Sequence, residues 1–143
     1  MEQSIRACFE LDERDVRQYS SLSLAFLGDS VYETIVRTIL VEKYMEKPGH
    51  LNSYKKQWVQ AGAQAQLIQW LRDNEKLTED EDAVFRRGRN ANIGSIARNA
   101  SMQEYRKATG FEALIGYLYL QGQMDRILEL VKVGVNGIGL PDK

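Results

Sequence analysis

Three features of the chain predict an all-α fold. Apolar residues recur at three- and four-residue spacing along nearly its whole length, and no stretch alternates with the two-residue period of a half-buried strand. Only two prolines, Pro48 and Pro141, occur in 143 residues, so almost nothing forbids long helices. Hydrophobic residues make up 43% and charged residues 27%, which suits one packed domain rather than a disordered or fibrous chain.

The elements follow in order. Leu22, Ala25, Phe26, Val31 and Ile35 belong to one helical segment that runs to about Tyr44. "KPGH" then punctuates, with Pro48-Gly49 as a turn signal. Leu51 to Trp58 reads as a short helix, and the next helix carries Ala61, Ala65, Leu67, Ile68 and Leu71. Thr78 and Glu81 have the spacing of a capping box, opening a helix that Gly88 closes. A final pair covers about Ser101 to Gly122, with a break near Gly110, and then Met124 to Val133. "GVNGIGLPDK" reads as a frayed tail. No repeat, linker or second domain is visible, so residues 1–143 are expected to form a single domain.

Composition excludes several chemistries. Cys8 is the only cysteine, which rules out an internal disulfide and leaves no zinc cage. His50 is the only histidine, in a segment with no nucleophile signature, so a Ser-His-Asp or Cys-His site is not expected. "MEQSIRACFELDERD" mixes acids and bases without an apolar run, unlike a signal peptide. No stretch approaches the roughly 18 apolar residues of a membrane span. A cytoplasmic protein is expected, with no membrane partner.

Net charge is −1, but its distribution is uneven. Asp73 to Asp82 holds six acids and one lysine; Phe85 to Lys107 holds five arginines and one lysine against Glu104. A local cause explains the acidic block, because acids in a first helical turn complement the helix dipole. The dipole also explains Arg86 and Arg87 in a last turn, but not Arg89, Arg98, Arg106 and Lys107. Those lie in and beyond "GRNANIGSIARNAS", which reads as a partly helical loop. Arginines among small residues suit phosphate contacts, and they equally suit a solvated surface.

Two acids interrupt apolar segments. Asp29 sits in "LAFLGDSVYE" and Glu112 in "FEALIGYLYL". An unpaired buried carboxylate costs several kcal/mol, so each needs a reason. Asp29 has Ala25 and Glu33 one turn away; Glu112 has Ala108 and Gly116, with Thr109 three residues before it. Small neighbours allow another helix to approach, so the two faces can cross with their carboxylates together. A divalent cation would then remove their repulsion, and magnesium suits such hard oxygen ligands. The alternative is that Asp29 caps a helix while Glu112 pairs with an arginine.

"LAFLGDSVYE" resembles the signature helix of the ribonuclease III family, in which a glutamate precedes "FLGD". "ATGFEALIGYLYL" resembles that family's second acidic segment. With "FRRGRNA" and "YRKATGFEALIGYLYL", residues 18 to 133 resemble its Mini-ribonuclease III branch, which lacks a double-stranded-RNA-binding domain. Ala25 and Thr109 stand where the wider family has a glutamate and an aspartate, a reduction that branch shares. The resemblance implies a bundle of about seven helices forming a homodimer, with Phe26 plugging a socket in the partner; Phe26 as ordinary core is the other reading. It implies Mg2+ held by catalytic Asp29 and Glu112, and hydrolysis of double-stranded RNA to 5′-phosphate and 3′-hydroxyl ends. Precursor ribosomal RNA, at the 23S ends, is the implied substrate. Arg86, Arg87, Arg89, Asn90 and Arg98, with Lys55 and Lys56 of "HLNSYKK", are the expected RNA contacts, Glu33 or Thr109 being possible assistants at the metal. The competing class is a catalytically inactive duplex-RNA-binding module, for which Ala25 and Thr109 are the evidence. A helical interaction protein without RNA is the third.

Overall fold

A helix begins where its first free amides find an acceptor. Ser20 supplies one, its hydroxyl accepting from the Ser23 amide at 3.1 Å, and 24 residues of helix follow. In the computed structural model, which describes residues 1–45, 47–92 and 100–140, the elements are α1 (Glu2–Cys8), a 3-10 turn (Val16–Gln18), α2 (Ser21–Tyr44), α3 (Pro48–Val59), α4 (Ala61–Asp73), α5 (Glu79–Arg89), α6 (Ala100–Leu120) and α7 (Met124–Ile138). No strand occurs among the described residues, and the all-α expectation holds.

Helix α6 is the centre of the bundle, packed by α2, α4, α5 and α7. Its burial explains the composition of its second half: Phe111, Ala113, Leu114 and Ile115 are fully enclosed, so from Ala108 on the helix is apolar nearly all round. Phe111 meets Tyr32 of α2 edge to face, with ring centroids 5.1 Å apart. The Tyr32 hydroxyl donates to the Trp58 carbonyl at 3.0 Å, tying the end of α3 to the same core. Gln60 alone joins α3 to α4, in an extended conformation that turns the chain sharply.

The capping box forms as expected. The Thr78 hydroxyl accepts from the Glu81 amide at 3.1 Å, and the Thr78 amide donates to Glu81 Oε1 at 2.9 Å. The acidic block is consumed further within the chain. Buried Glu81 accepts from Arg126 of α7 at 2.8 Å, while Asp82 meets Arg72 at 2.7 Å and Arg86 at 3.1 Å.

Four expectations need correction. Helix α6 runs through Gly110 without a break, because Gly110 is a contact: a Cβ there would lie 2.6 Å from the Phe85 carbonyl oxygen. Gly88 does not close α5, which continues to Arg89 with Gly88 pressed on Gly110 and Ala113. Pro48 begins α3 rather than preceding it, since proline is well placed in a first turn. The tail is helical to Ile138, with Gly134 packed on Leu67 and Leu71 and left-handed Gly139 ending it at φ 70°. Helix α1 adds an element that the apolar pattern does not predict. Arg6 ties it down, donating to the Leu120 carbonyl at 2.9 Å, one of the carbonyls that the end of α6 leaves without a partner.

Candidate active site

Helices α2 and α6 cross with their backbones in contact. A Cβ at Gly28 would overlap the Glu112 carbonyl, and one at Gly116 would overlap the Leu24 carbonyl. Two glycines, one per helix, therefore allow an approach that side chains would forbid. Spacing along the sequence points to small residues around the acids and credits Gly116 rightly, but it credits Ala25 and Ala108 where Gly28 makes the approach.

Asp29 follows Gly28 and is exposed; Glu112 is half-buried at the same crossing. The two carboxyl groups lie close enough for a protonated Glu112 to donate to Asp29. Burial first, then the hydrogen bond and charge of Asp29, push the Glu112 carboxyl up to about 8. The crevice therefore keeps Glu112 protonated at neutral pH unless a positive charge arrives. A hard divalent cation fits this donor set, because it stabilises both carboxylates in their ionised forms. Among the described residues no three acidic, histidine or cysteine side chains gather as a metal cluster. An ion here would rest on these two carboxylates and retain several waters.

Helix α4 adds a residue that sequence reasoning missed. Gln64 is only 3% exposed; its Nε2 donates to the Val59 carbonyl at 2.9 Å, and its amide lies beside the Glu112 carboxyl, whose ionised form it favours. A polar residue in the apolar face of Ala61, Ala65, Leu67 and Ile68 was the available signal.

The other acids and near-acids are occupied elsewhere. Glu33 is held by Lys55 at 3.1 Å and by Arg37 at 3.3 Å. Thr109 is buried and donates to the Tyr105 carbonyl one turn back at 3.0 Å. Ala25 is buried in the α2 face that meets the core.

The basic residues divide. Arg86, Arg87, Arg89 and Asn90 line one open cavity of about 820 Å³ together with Ser20, Ser21 and Leu22 at the start of α2. Arg87 is exposed, whereas half-buried Arg89 lies over the Phe85 ring at 5.4 Å. Lys56 is exposed on α3, while the Lys55 ammonium is taken by Glu33. Arg98, with most of the loop read around it, lies outside the described residues. Phe26 is 84% exposed, so it does not belong to the core of its own chain. Among the described residues no helix is long and apolar enough to cross a membrane.

Comparison with known proteins agrees with this geometry. Residues 22–123 match the model of the Ribonuclease III domain. The chain is 42% identical over 126 residues to the Mini-ribonuclease 3 of Enterococcus faecalis, covering 88% of this chain and 96% of that protein. It is 47% identical over 119 residues to the Mini-ribonuclease 3 of Brevibacillus brevis, covering 83% of this chain and 87% of the other. A crystal structure of a Fusobacterium nucleatum protein superposes with a TM-score of 0.73 at 31% identity, spanning 87% of this chain and 98% of that one. The chain belongs to the ribonuclease III family and is an endoribonuclease.

Proposed function

We propose that the protein cleaves double-stranded RNA with magnesium as its cofactor, and that Asp29 and Glu112 hold the ion. The observation that carries this reading is their convergence at a glycine-lined crossing where Glu112 is driven towards its protonated form. When bound, magnesium supplies a water of lowered pKa and neutralises charge on the phosphate. Asp29, exposed at the rim, meets solvent and substrate first. Glu112 gives up its proton as its carboxylate gains a positive partner. Hydrolysis leaves a 5′-phosphate and a 3′-hydroxyl.

Recognition follows duplex shape, since A-form RNA presents phosphates and 2′-hydroxyls across a wide, shallow minor groove. Arg86, Arg87, Arg89 and Asn90 meet phosphates; Arg98 and Lys56 extend that contact, and Lys55 joins it on release from Glu33. Leu22 lies two helical turns before Asp29, about 10 Å along α2, so basic groove and carboxylates sit within a few nucleotides of each other. The protein acts as a homodimer in which the exposed Phe26 ring seats in the partner, and two crevices face one duplex, one per strand. Precursor ribosomal RNA at the 23S ends is the substrate, in the cytoplasm.

The inactive RNA-binding module draws on Ala25 and Thr109, both buried and neither acidic. One assay decides. Long duplex RNA incubated with the protein is expected to shorten with magnesium and to stay intact with EDTA. Asp29→Asn is expected to bind the duplex without cutting it, with an unchanged helical circular-dichroism spectrum. Cutting by Asp29→Asn removes the metal role, and no cutting by the unaltered protein favours the module.

A further inference from the structure

Gln64 is nearly sealed from solvent, yet its side chain is only partly satisfied. The Val59 carbonyl accepts from Nε2, and the amide favours the ionised form of the neighbouring Glu112 carboxyl, as only a donor would, so the amide nitrogen faces both. That orientation leaves Oε1 fully buried with no donor, and it is the one such side-chain atom among the described residues. A buried acceptor without a donor is costly, so native structures rarely keep one without a function or an unseen partner. Val59 ends α3 and Gln60 is the one residue between it and α4, so the amide is braced at a sharp corner.

We propose that Gln64 is a positioning residue of the carboxylate crevice: its Nε2 orients Glu112 towards Asp29, and its Oε1 accepts a hydrogen from a hydration water of the bound divalent cation. The inference rests on the metal reading of Asp29 and Glu112. An amide suits this place better than an acid. It donates to one carboxylate and accepts from water at once, and it adds no third negative charge to a pair that already repels. Groups that orient a metal's ligands typically alter affinity by about 10–100-fold when removed.

The test uses the RNA-free protein, Mn2+ and Mg2+ alone as probes, isothermal titration calorimetry and thermal melts. Gln64→Met keeps length and volume but removes the amide donor and the unpartnered oxygen. It is expected to melt, ion-free, within a few degrees of the unaltered protein and to bind Mn2+ at least tenfold more weakly. Its cleavage should need correspondingly more magnesium for the half-maximal rate. Gln64→Glu places a third carboxylate at the crevice, so it is expected to melt lower without ion and to gain more from Mn2+. A purely structural role predicts the reverse, with Gln64→Met losing melting temperature and keeping its ion affinity within twofold, and that result overturns the proposal. If Gln64→Met does not fold, an ion-linked gain in Gln64→Glu no larger than in the unaltered protein overturns it instead. Ion binding abolished in Asp29→Asn but unchanged in Gln64→Met defeats Gln64 alone. Ion binding absent from the unaltered protein, or equal in Asp29→Asn, defeats the metal reading and this inference together.

Discussion

Gly28 on α2 lies directly against the carbonyl of Glu112 on α6, and no atom larger than hydrogen fits between them. The crossing that forms the core is therefore the one that joins the two carboxylates. Gly28→Ala tests both at once. In an exposed helix the change would stabilise by about 1 kcal/mol. Here the added methyl meets backbone, which cannot rotate away, and overpacking of this kind costs about 1–3 kcal/mol or more. Net destabilisation in urea unfolding, with cleavage falling further than the folded fraction does, is the expected outcome. A mutant of unchanged stability and activity would show that the helices do not cross so closely.

Glu112 makes stability depend on pH in a direction opposite to most carboxylates. Its carboxyl is raised from the usual 4.5 to about 8, so between those values the native state holds a proton that the unfolded chain has released. The contribution is complete below about pH 4.5 and is lost as pH rises through about 8. The slope cannot exceed about 1.4 kcal/mol per pH unit, and partial solvent access makes it smaller. Ion-free melts from about pH 5 to about pH 8.5 should fall, and the fall should flatten in Glu112→Gln. Saturating magnesium should also flatten it, because the ion offsets the cost of ionisation. A melting temperature in the unaltered protein that does not respond to pH would separate Glu112 from Asp29.

The arginine cavity predicts a salt effect. Removing one phosphate-binding arginine should reduce the slope of log K against log salt by roughly 0.9. Arg87→Ala should do this for duplex RNA of any sequence, with the fold unaffected, since Arg87 is exposed. Arg89→Ala should do the same and also lower the melting temperature, because its guanidinium covers Phe85. Binding isotherms across a salt series give both slopes. Slopes equal to that of the unaltered protein would make the cavity an ordinary solvated surface.

Phe26 gives the sharpest prediction about assembly. A ring 84% exposed contributes little to its own chain's stability, so Phe26→Ala should leave the monomer's fold intact. If the ring fills a partner's socket, its removal costs about 3–5 kcal/mol at each site. Sedimentation over a concentration series should then show dimer turning to monomer. A mutant that stays dimeric at the same concentrations would leave Phe26 without that role.

What could be read from the sequence follows from what is local. Helix periodicity, the Thr78 cap and the consumption of acids in a first turn depend on residues three or four apart, so the chain alone determined them. The two acids were also legible, because a carboxylate in an apolar helical stretch demands a partner wherever it ends up. Glycine was legible only at Gly116, beside Glu112. The same residue type signals a break, a cap or a contact, and only packing shows that Gly28, Gly88 and Gly110 are contacts. Tertiary structure also decided that Glu33 is taken by Lys55, that Phe26 points away from its own core, and that Gln64 reaches Glu112. Each of these turns on distances between helices far apart along the chain. Such distances are set by how closely two backbones can approach, a property of the pair of surfaces that neither segment carries by itself.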